Sequence, residues 1–295
     1  MAKGNDQLLT RVSAANQSTG GQIPVVAKGR EVNGMLEKMK PELGKALGRS
    51  MDVDRFIRVC ITQIRGNEKL MSIVYNNPTS IIGAVMQIAQ VGLDPAIPNE
   101  AWLIPYGSVA QAQYGYKGLA KLALDSARDA GNPLQVLRAD IICEGDKYER
   151  TLGDHPSITL QPPPFGTPRG KVLGYVAISR DASGLVNFFE MTVDEVREHQ
   201  KKFSKAINNP KSPFYNGQNF DSYGLKTVLR QLISKHLPMG QKLARVIVHE
   251  QKLDLGETEP ETIDVSPTVA EPIAESGEVG TSVVGETSVK QMEIT

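Results

Sequence analysis

The spacing of hydrophobic residues changes twice along the chain. Between residues 53 and 64 apolar side chains recur every three or four positions, the period of a helix with one buried face. Between residues 101 and 116, and in short runs from 134 to 191, they alternate with polar side chains, as in antiparallel strands. The helical period returns after residue 192. The pattern predicts an α+β fold with a central, mostly antiparallel sheet flanked by helices.

Capping and turn residues set the predicted boundaries. Ser50 is expected to cap the first clear helix, and Thr79 or Ser80 the second, which Gly92 ends. Thr192 and Glu195 fit a capping box. The predicted helices are 51–65, 81–90, 117–130, 193–207, 221–237 and 241–251. The predicted strands are 102–106, 108–116, 134–143, 147–151, 157–160, 171–180 and 185–191.

Both ends of the chain differ in composition from the middle. Residues 1–31 are rich in Asn, Gln, Ser, Thr and Gly without a sustained period, which predicts a flexible N-terminal arm. Residues 254–295 contain Pro, Thr, Ser, Glu and Val but no aromatics, which predicts a disordered acidic tail. The folded body is therefore expected over residues 32–253.

The net charge of zero hides a separation of charge along the sequence. The chain has 33 bases and 33 acids, but the tail holds ten of the acids and only one base, Lys290. The ten acids are Asp254, Glu257, Glu259, Glu261, Asp264, Glu271, Glu275, Glu278, Glu286 and Glu293. Residues 1–253 therefore carry a net charge of +9. A basic body indicates a polyanionic ligand. The tail either competes for the same groove, recruits a basic partner or only keeps the protein soluble.

Several function classes lack their usual signals. Cys60 and Cys143 are far apart within apolar segments, so we expect buried, unreactive thiols. The longest apolar runs are shorter than the roughly 20 residues of a membrane helix, and the N-terminus has no signal-peptide pattern. These two observations predict a cytoplasmic protein. There is no GxxxxGK[ST] phosphate loop, and the four histidines are scattered. No cofactor or metal is predicted.

The first basic cluster follows a predicted strand. Lys117, Lys121 and Arg128 share one face of a predicted helix, whose free N-terminal amides would favour a phosphate. The alternative is a solvated face neutralised by Asp125 and Asp129.

Aromatic and amide side chains precede this cluster. Tyr114 and Tyr116, on one face of a predicted strand, can stack on bases or pack in the core. Gln111 and Gln113 add hydrogen-bonding groups beside them. The GYKG segment also matches the GxxG loop of KH domains, a match too short to decide anything.

Two further basic clusters lie nearer the C-terminus. The first comprises Lys226, Arg230 and Lys235, and the second Lys201, Lys202, Phe203 and Lys205. Three clusters in a basic body favour a continuous nucleic-acid groove.

Four acids leave an enzymatic alternative open. Asp140, Glu144, Asp146 and Glu149 surround a predicted hairpin and can in principle hold Mg²⁺ for a nuclease, although turns normally carry such charges. A phage structural protein that oligomerises without DNA is a third hypothesis.

The chain resembles the RecT family of phage single-strand annealing proteins, which is related to the lambda Red beta recombinase. The resemblance covers about residues 35–250, in family order. The matching segments are Asn77-Pro78, Gly92-Leu93-Asp94-Pro95, 102–107, 111–122, Gly145-Asp146, Gly174-Tyr175 and 226–230, with Pro238 beyond. The arm and the tail lie outside it.

This resemblance implies ATP-independent annealing of complementary single strands during recombination, without bond chemistry. It implies helical or ring oligomers with DNA in a basic groove, bound as a single strand and then as the annealed duplex intermediate. It also implies a partner exonuclease and, through the C-terminal region, possible contact with the host single-strand-binding protein. By position, Lys117, Lys121, Lys226 and Arg230 would contact the DNA backbone.

Overall fold

The computed structural model describes residues 25–204 and 219–255 of the chain, with side chains described from residue 31 to residue 253. It confirms the α+β class. The described helices are α1 (Val25–Lys38), α2 (Lys40–Leu47), α3 (Val53–Arg65), α4 (Glu68–Asn76), α5 (Pro78–Val91), α6 (Tyr116–Asp129), α7 (Val193–Phe203), α8 (Phe220–His236) and α9 (Gln241–Leu255). The strands are β1 (Ala101–Tyr106), β2 (Val109–Tyr114), β3 (Leu134–Cys143), β4 (Lys147–Thr151), β5 (Ser157–Gln161), β6 (Val172–Asp181) and β7 (Val186–Thr192).

Helices α3 and α5 follow the predicted periodicity, but their caps differ from the prediction, and α1, α2 and α4 were not predicted. Asp52, and not Ser50, caps α3 by accepting a hydrogen bond from the Arg55 amide at 2.8 Å. Asn77 caps α5, with Pro78 in its first turn. Ser80 is buried instead, and its hydroxyl bonds to the backbone of Ala110. Capping by Asn and Asp leaves both serines available for tertiary contacts.

Helix α1 begins at Val25, within the segment predicted to be a flexible arm. Its Val32 and Leu36 are fully buried. The rest of the arm and almost all of the acidic tail lie outside the described residues. The division of the chain into arm, body and tail stays a prediction.

The strands form three antiparallel sheets rather than one continuous sheet. Strands β1 and β2 form a hairpin, β6 lies between β3 and β7, and β4 pairs with β5. The small apolar core of Ile142, Val176 and Ile178 lies on the three-stranded sheet, and side chains of β4, β5 and β7 pack against it. The strand positions agree with the predicted ones to within a few residues.

Two C-terminal helices lie close to the hairpin formed by β1 and β2. The capping box of Thr192 and Glu195 is present at the start of α7, as predicted. Helix α8 packs against the three-stranded sheet, where the Tyr175 hydroxyl donates to Asp221 at 2.6 Å. Helix α9 packs against α5, α6 and β2. The junction between β2 and α6 therefore lies next to the last helix of the body.

Both cysteines are buried, as predicted, and neither forms a disulfide. Burial raises the pKa of the Cys60 thiol to about 12, with a smaller effect from nearby Asp94. Such a thiol stays protonated and unreactive at neutral pH. Within residues 25–204 and 219–255, no helix has the length and apolar composition needed to cross a bilayer.

Candidate nucleic-acid interface

The junction between β2 and α6 is closed at the helix N-terminus. Strand β2 ends at Tyr114, Gly115 is the N-cap, and Tyr116 already belongs to the helix. The backbone oxygen of Asn99 accepts hydrogen bonds from the amides of Lys117 at 3.0 Å and Gly118 at 3.2 Å. The prediction of amides free for a phosphate is therefore wrong, because a loop carbonyl from the same chain occupies this position.

The two glycines of the GYKG segment allow this close approach. A Cβ on Gly115 would lie 2.1 Å from the backbone oxygen of Asn99, and one on Gly118 would lie 2.4 Å from that of Glu100. Any side chain at either position would displace the loop that precedes β1. In this fold the GxxG spacing serves backbone packing, so its likeness to a KH loop has a structural explanation.

Lys121 is held by an internal carboxylate. Its Nζ lies 3.1 Å from Oε2 of Glu100, whose side chain is almost fully buried. The same carboxylate oxygen accepts the amide of Asp94 at 2.9 Å, and Asp94 in turn pairs with Arg55 at 2.7 Å. Lys121 therefore fixes the turn after α5, and its charge is already compensated within the protein.

Two predicted contact residues of the same segment remain open to solvent. Tyr116 is 45% exposed, and Lys117 is exposed with no carboxylate partner among the described residues. Arg128 is also exposed but pairs with Asp125 at 3.0 Å. This agrees with the alternative prediction of a solvated helix face neutralised by Asp125. Tyr116 and Lys117 together form an aromatic and cationic surface at the start of α6.

Tyr114 and Tyr116 do not share a face. Tyr114 is only 2% exposed, and its ring lies edge-on to His249 with 5.6 Å between the centroids. Burial raises the pKa of its hydroxyl, helped by the charge of Glu250. Gln111 is buried and Gln113 half-buried in the hairpin. Stacking on a base therefore requires Tyr116 rather than Tyr114.

The cluster on α8 is also tied internally. The Nζ of Lys226 lies 2.9 Å from Oε1 of Glu250 and donates to the backbone oxygen of Tyr114 at 2.9 Å. The Nε of Arg230 lies 3.6 Å from Oε2 of the same buried carboxylate. Helices α8 and α9 and the end of β2 meet at this ionic cluster. It connects the basic cluster on α8 to the segment of residues 111–122.

The third cluster and Lys235 lie beside aromatic rings. The Nζ of Lys202 is 5.1 Å from the ring centroid of Phe203, and the Nζ of Lys235 is 4.4 Å from that of Phe189. Lys201 is exposed and lies 3.6 Å from Glu198. Lys205 falls outside the described residues. Lys201 and Lys202 at the end of α7 and Lys235 at the end of α8 are thus more exposed than Lys226 and Arg230 in the middle of α8.

The four acids of the nuclease hypothesis have separate partners. Asp146 is fully buried and pairs with Arg169 at 2.5 Å, which lowers the pKa of its carboxyl. Asp140 pairs with Arg138 and Glu149 with Lys147. Glu144 accepts the Lys171 amide at 3.2 Å. Among the described residues, no group of three or more His, Cys, Asp or Glu is placed to hold a metal ion.

Sequence reasoning missed the two carboxylates that neutralise predicted site residues, Glu100 and Glu250. No spacing rule links them to Lys121 or Lys226, because the partners are distant in sequence. It also missed an exposed basic pair on α9, Lys242 and Arg245, although their separation of three positions was a readable signal.

Comparison with known proteins shows the family of the chain. A model of the RecT family matches residues 54–266. The chain therefore belongs to the RecT family, and this membership places it among recombination and strand-annealing proteins in general. It is 28% identical over 260 residues to Protein RecT of Escherichia coli (strain K12), covering 84% of this chain and 88% of that one. It is also 26% identical over 239 residues to the uncharacterized protein YqaK of Bacillus subtilis (strain 168), covering 78% and 75% of the two chains.

Proposed function

We propose that this protein binds single-stranded DNA and anneals complementary strands during phage recombination, without ATP and without bond chemistry. The observation that carries the proposal is the family match over residues 54–266. The exposed pair Tyr116 and Lys117 supports it, because a ring for stacking and a cation for a phosphate lie next to each other at the end of a rigid hairpin.

The proposed interface contains fewer residues than the sequence alone suggested. It contains the exposed cations at the start of α6, at the end of α7 and at the end of α8, together with one exposed and one half-buried ring. These residues are Tyr116, Lys117, Lys201, Lys202, Phe203 and Lys235. Lys121, Lys226 and Arg230 instead form ion pairs with the buried carboxylates Glu100 and Glu250. Their side chains position the motifs, while the exposed residues would touch DNA.

The mechanism relies mainly on contacts between the protein and the phosphates of the DNA backbone. Cations that neutralise the phosphates of one strand leave its bases free to sample a second strand, and base pairing supplies the free energy of annealing. No step in this scheme transfers a group. In this proposal the protein forms helical or ring oligomers, so that a groove on successive subunits follows the strand.

The direct test is annealing of two complementary, labelled oligonucleotides at low salt, without ATP or divalent metal. We expect the protein to accelerate duplex formation and to leave both strands intact. Tight single-strand binding without acceleration would leave only a passive binder. Absence of DNA binding at low salt would favour a structural protein, and metal-dependent strand cleavage would favour the nuclease hypothesis.

The partners are a separate part of the proposal. A phage exonuclease would supply the single strand, and the acidic tail, residues 254–295, would recruit a partner such as the host single-strand-binding protein in the bacterial cytoplasm. Deleting residues 257–295 is expected to leave annealing intact and to abolish capture of that partner. Loss of annealing by the truncated protein would assign the tail to the annealing reaction itself.

A further inference from the structure

The exposed face of α9 carries cations without acids. Lys242 and Arg245 are three positions apart, so they point to the same side of the helix, and both are exposed. Between residues 241 and 253 the one acidic side chain is Glu250, which is buried and faces Lys226. Within residues 241–253, no acid therefore compensates the charges on this face.

Lys242 approaches the end of α5 together with two other polar groups. At the point where a Cβ of Gly92 would stand, the Ser50 hydroxyl is 2.8 Å away and the Nζ of Lys242 is 3.3 Å away. The Nζ of Lys121 lies 3.5 Å from the backbone oxygen of Gly92. Gly92 is in the left-handed conformation, and its missing side chain leaves room for these groups to converge.

The carboxylates near this point are already engaged. Glu100 is buried and pairs with Lys121, and Asp94 pairs with Arg55. Arg245 donates to the side-chain oxygen of Gln90 at 3.1 Å, which is a neutral partner. Among the described residues, no carboxylate pairs with Lys242 or Arg245, and the Ser50 hydroxyl lies beside Lys242.

We propose that Ser50, Lys242 and Arg245 form a second contact surface for the DNA backbone, which we call the α9 surface. This proposal rests on the proposed function. The surface is continuous with the interface above, because Lys121 at its edge lies one helical turn from Lys117 on α6. A strand that leaves Lys117 meets the α9 surface next. Two cations and a hydroxyl match phosphate oxygens and contain no group that reads a base.

The acidic tail is the competing occupant, since it follows directly on α9. The two occupants predict opposite changes in DNA affinity when the cations of the α9 surface are removed. If the α9 surface binds DNA, removing its cations weakens DNA binding. If it binds the tail, the bound acids lie next to the interface at Lys117 and repel DNA, so removing the cations releases the tail and strengthens DNA binding.

The test compares two full-length double variants that lose the same charge. Lys242→Ala with Arg245→Ala removes the cations of the α9 surface. Lys45→Ala with Lys147→Ala removes two exposed cations that already pair with Glu42 and Glu149. Binding to an oligothymidine is measured by fluorescence anisotropy from low to moderate salt. We expect the first variant to bind on the order of tenfold more weakly and to lose about 1.4 from the slope of log affinity against log salt, about 0.7 for each contact.

The remaining outcomes are equally specific. The charge-keeping variant Lys242→Arg with Arg245→Lys is expected to retain the wild-type slope. Equal losses in the α9 and control variants would overturn the proposal, because only total charge would matter. A gain in affinity would assign the α9 surface to the tail and overturn it too. Wild-type protein that fails to bind the oligonucleotide would instead overturn the proposed function.

Discussion

The buried cluster around Glu250 and the exposed α9 surface use similar cations in opposite ways. Lys226 and Arg230 share one buried carboxylate, and Lys226 also donates to a backbone oxygen, so this cluster holds three elements together. Lys242 and Arg245 lie on α9 and are exposed, and no carboxylate of the described residues pairs with them. A buried cation deprived of its partner destabilises the fold, whereas an exposed one is available to a ligand.

This difference shows how basic stripes should be interpreted. Spacing along a helix identifies cations that share a face, but their free charge depends on acids contributed by other elements. Glu100 comes from the loop before β1 and neutralises Lys121 on α6. The basic clusters on α6 and α8 that stand out in the sequence therefore have a partly structural role. The pair Lys242 and Arg245 on α9 is less conspicuous in the sequence but more accessible to a ligand.

The largest effect is expected from Glu250→Gln. Removing the shared carboxylate charge takes away an ionic partner that Lys226 and Arg230 have inside the fold, which should lower the free energy of unfolding by about 3 kcal/mol. Urea denaturation measures it. Glu198→Gln, at the exposed partner of Lys201, is the matched control and should change stability by less than about 0.5 kcal/mol. Unchanged stability of Glu250→Gln, with tighter DNA binding, would show instead that Glu250 masks two DNA contacts.

Most of the local structure was predictable from the sequence, since it depends on neighbours in the chain. The period of α3, the end of α5 at Gly92 and the capping box at Thr192 were all confirmed. The Asn99 carbonyl at the start of α6 was not predictable, because that contact depends on how the loop before β1 folds back. The choice between stacking and core packing for Tyr114 was left open for a similar reason, because its contact with His249 depends on how the distant helix α9 packs.

The second-largest effect concerns the close backbone packing at the start of α6. In Gly118→Ala the new methyl group would meet the Glu100 backbone oxygen at 2.4 Å, so we expect a loss of about 2 kcal/mol in unfolding free energy. Gly44→Ala is the matched control, because nothing lies within 4 Å of its Cβ position in α2. That change should stabilise the protein by roughly 0.5 kcal/mol. Equal effects at both glycines would contradict the packing role of the GYKG segment.

A smaller effect separates the two lysines of α6. Lys117→Ala should leave the unfolding free energy unchanged and lower the salt slope of single-strand binding by about 0.7, since it removes one exposed phosphate contact. Lys121→Ala should lower stability, because Glu100 loses its partner, and should change the slope less. Anisotropy titrations at several salt concentrations, combined with urea denaturation, measure both quantities. If Lys121→Ala instead lowered the salt slope and Lys117→Ala lowered stability, Lys121 would be the direct DNA contact.

The smallest effect extends the comparison from cations to acids. The hydrogen bonds from Arg169 hold the pKa of Asp146 below its ordinary value of 3.8, so the ionised carboxyl stabilises the folded state. This contribution is fully present above the unfolded pKa of about 3.9 and is lost as the pH falls through the lower folded value. Asp146→Asn should therefore weaken the fold at pH 7 and show a shallower loss of stability below about pH 4 than the wild type. Denaturation at a series of pH values tests this. An unchanged acid profile would mean that Asp146 contributes no ionic stabilisation, and its carboxylate would again be available for the metal role that the sequence left open.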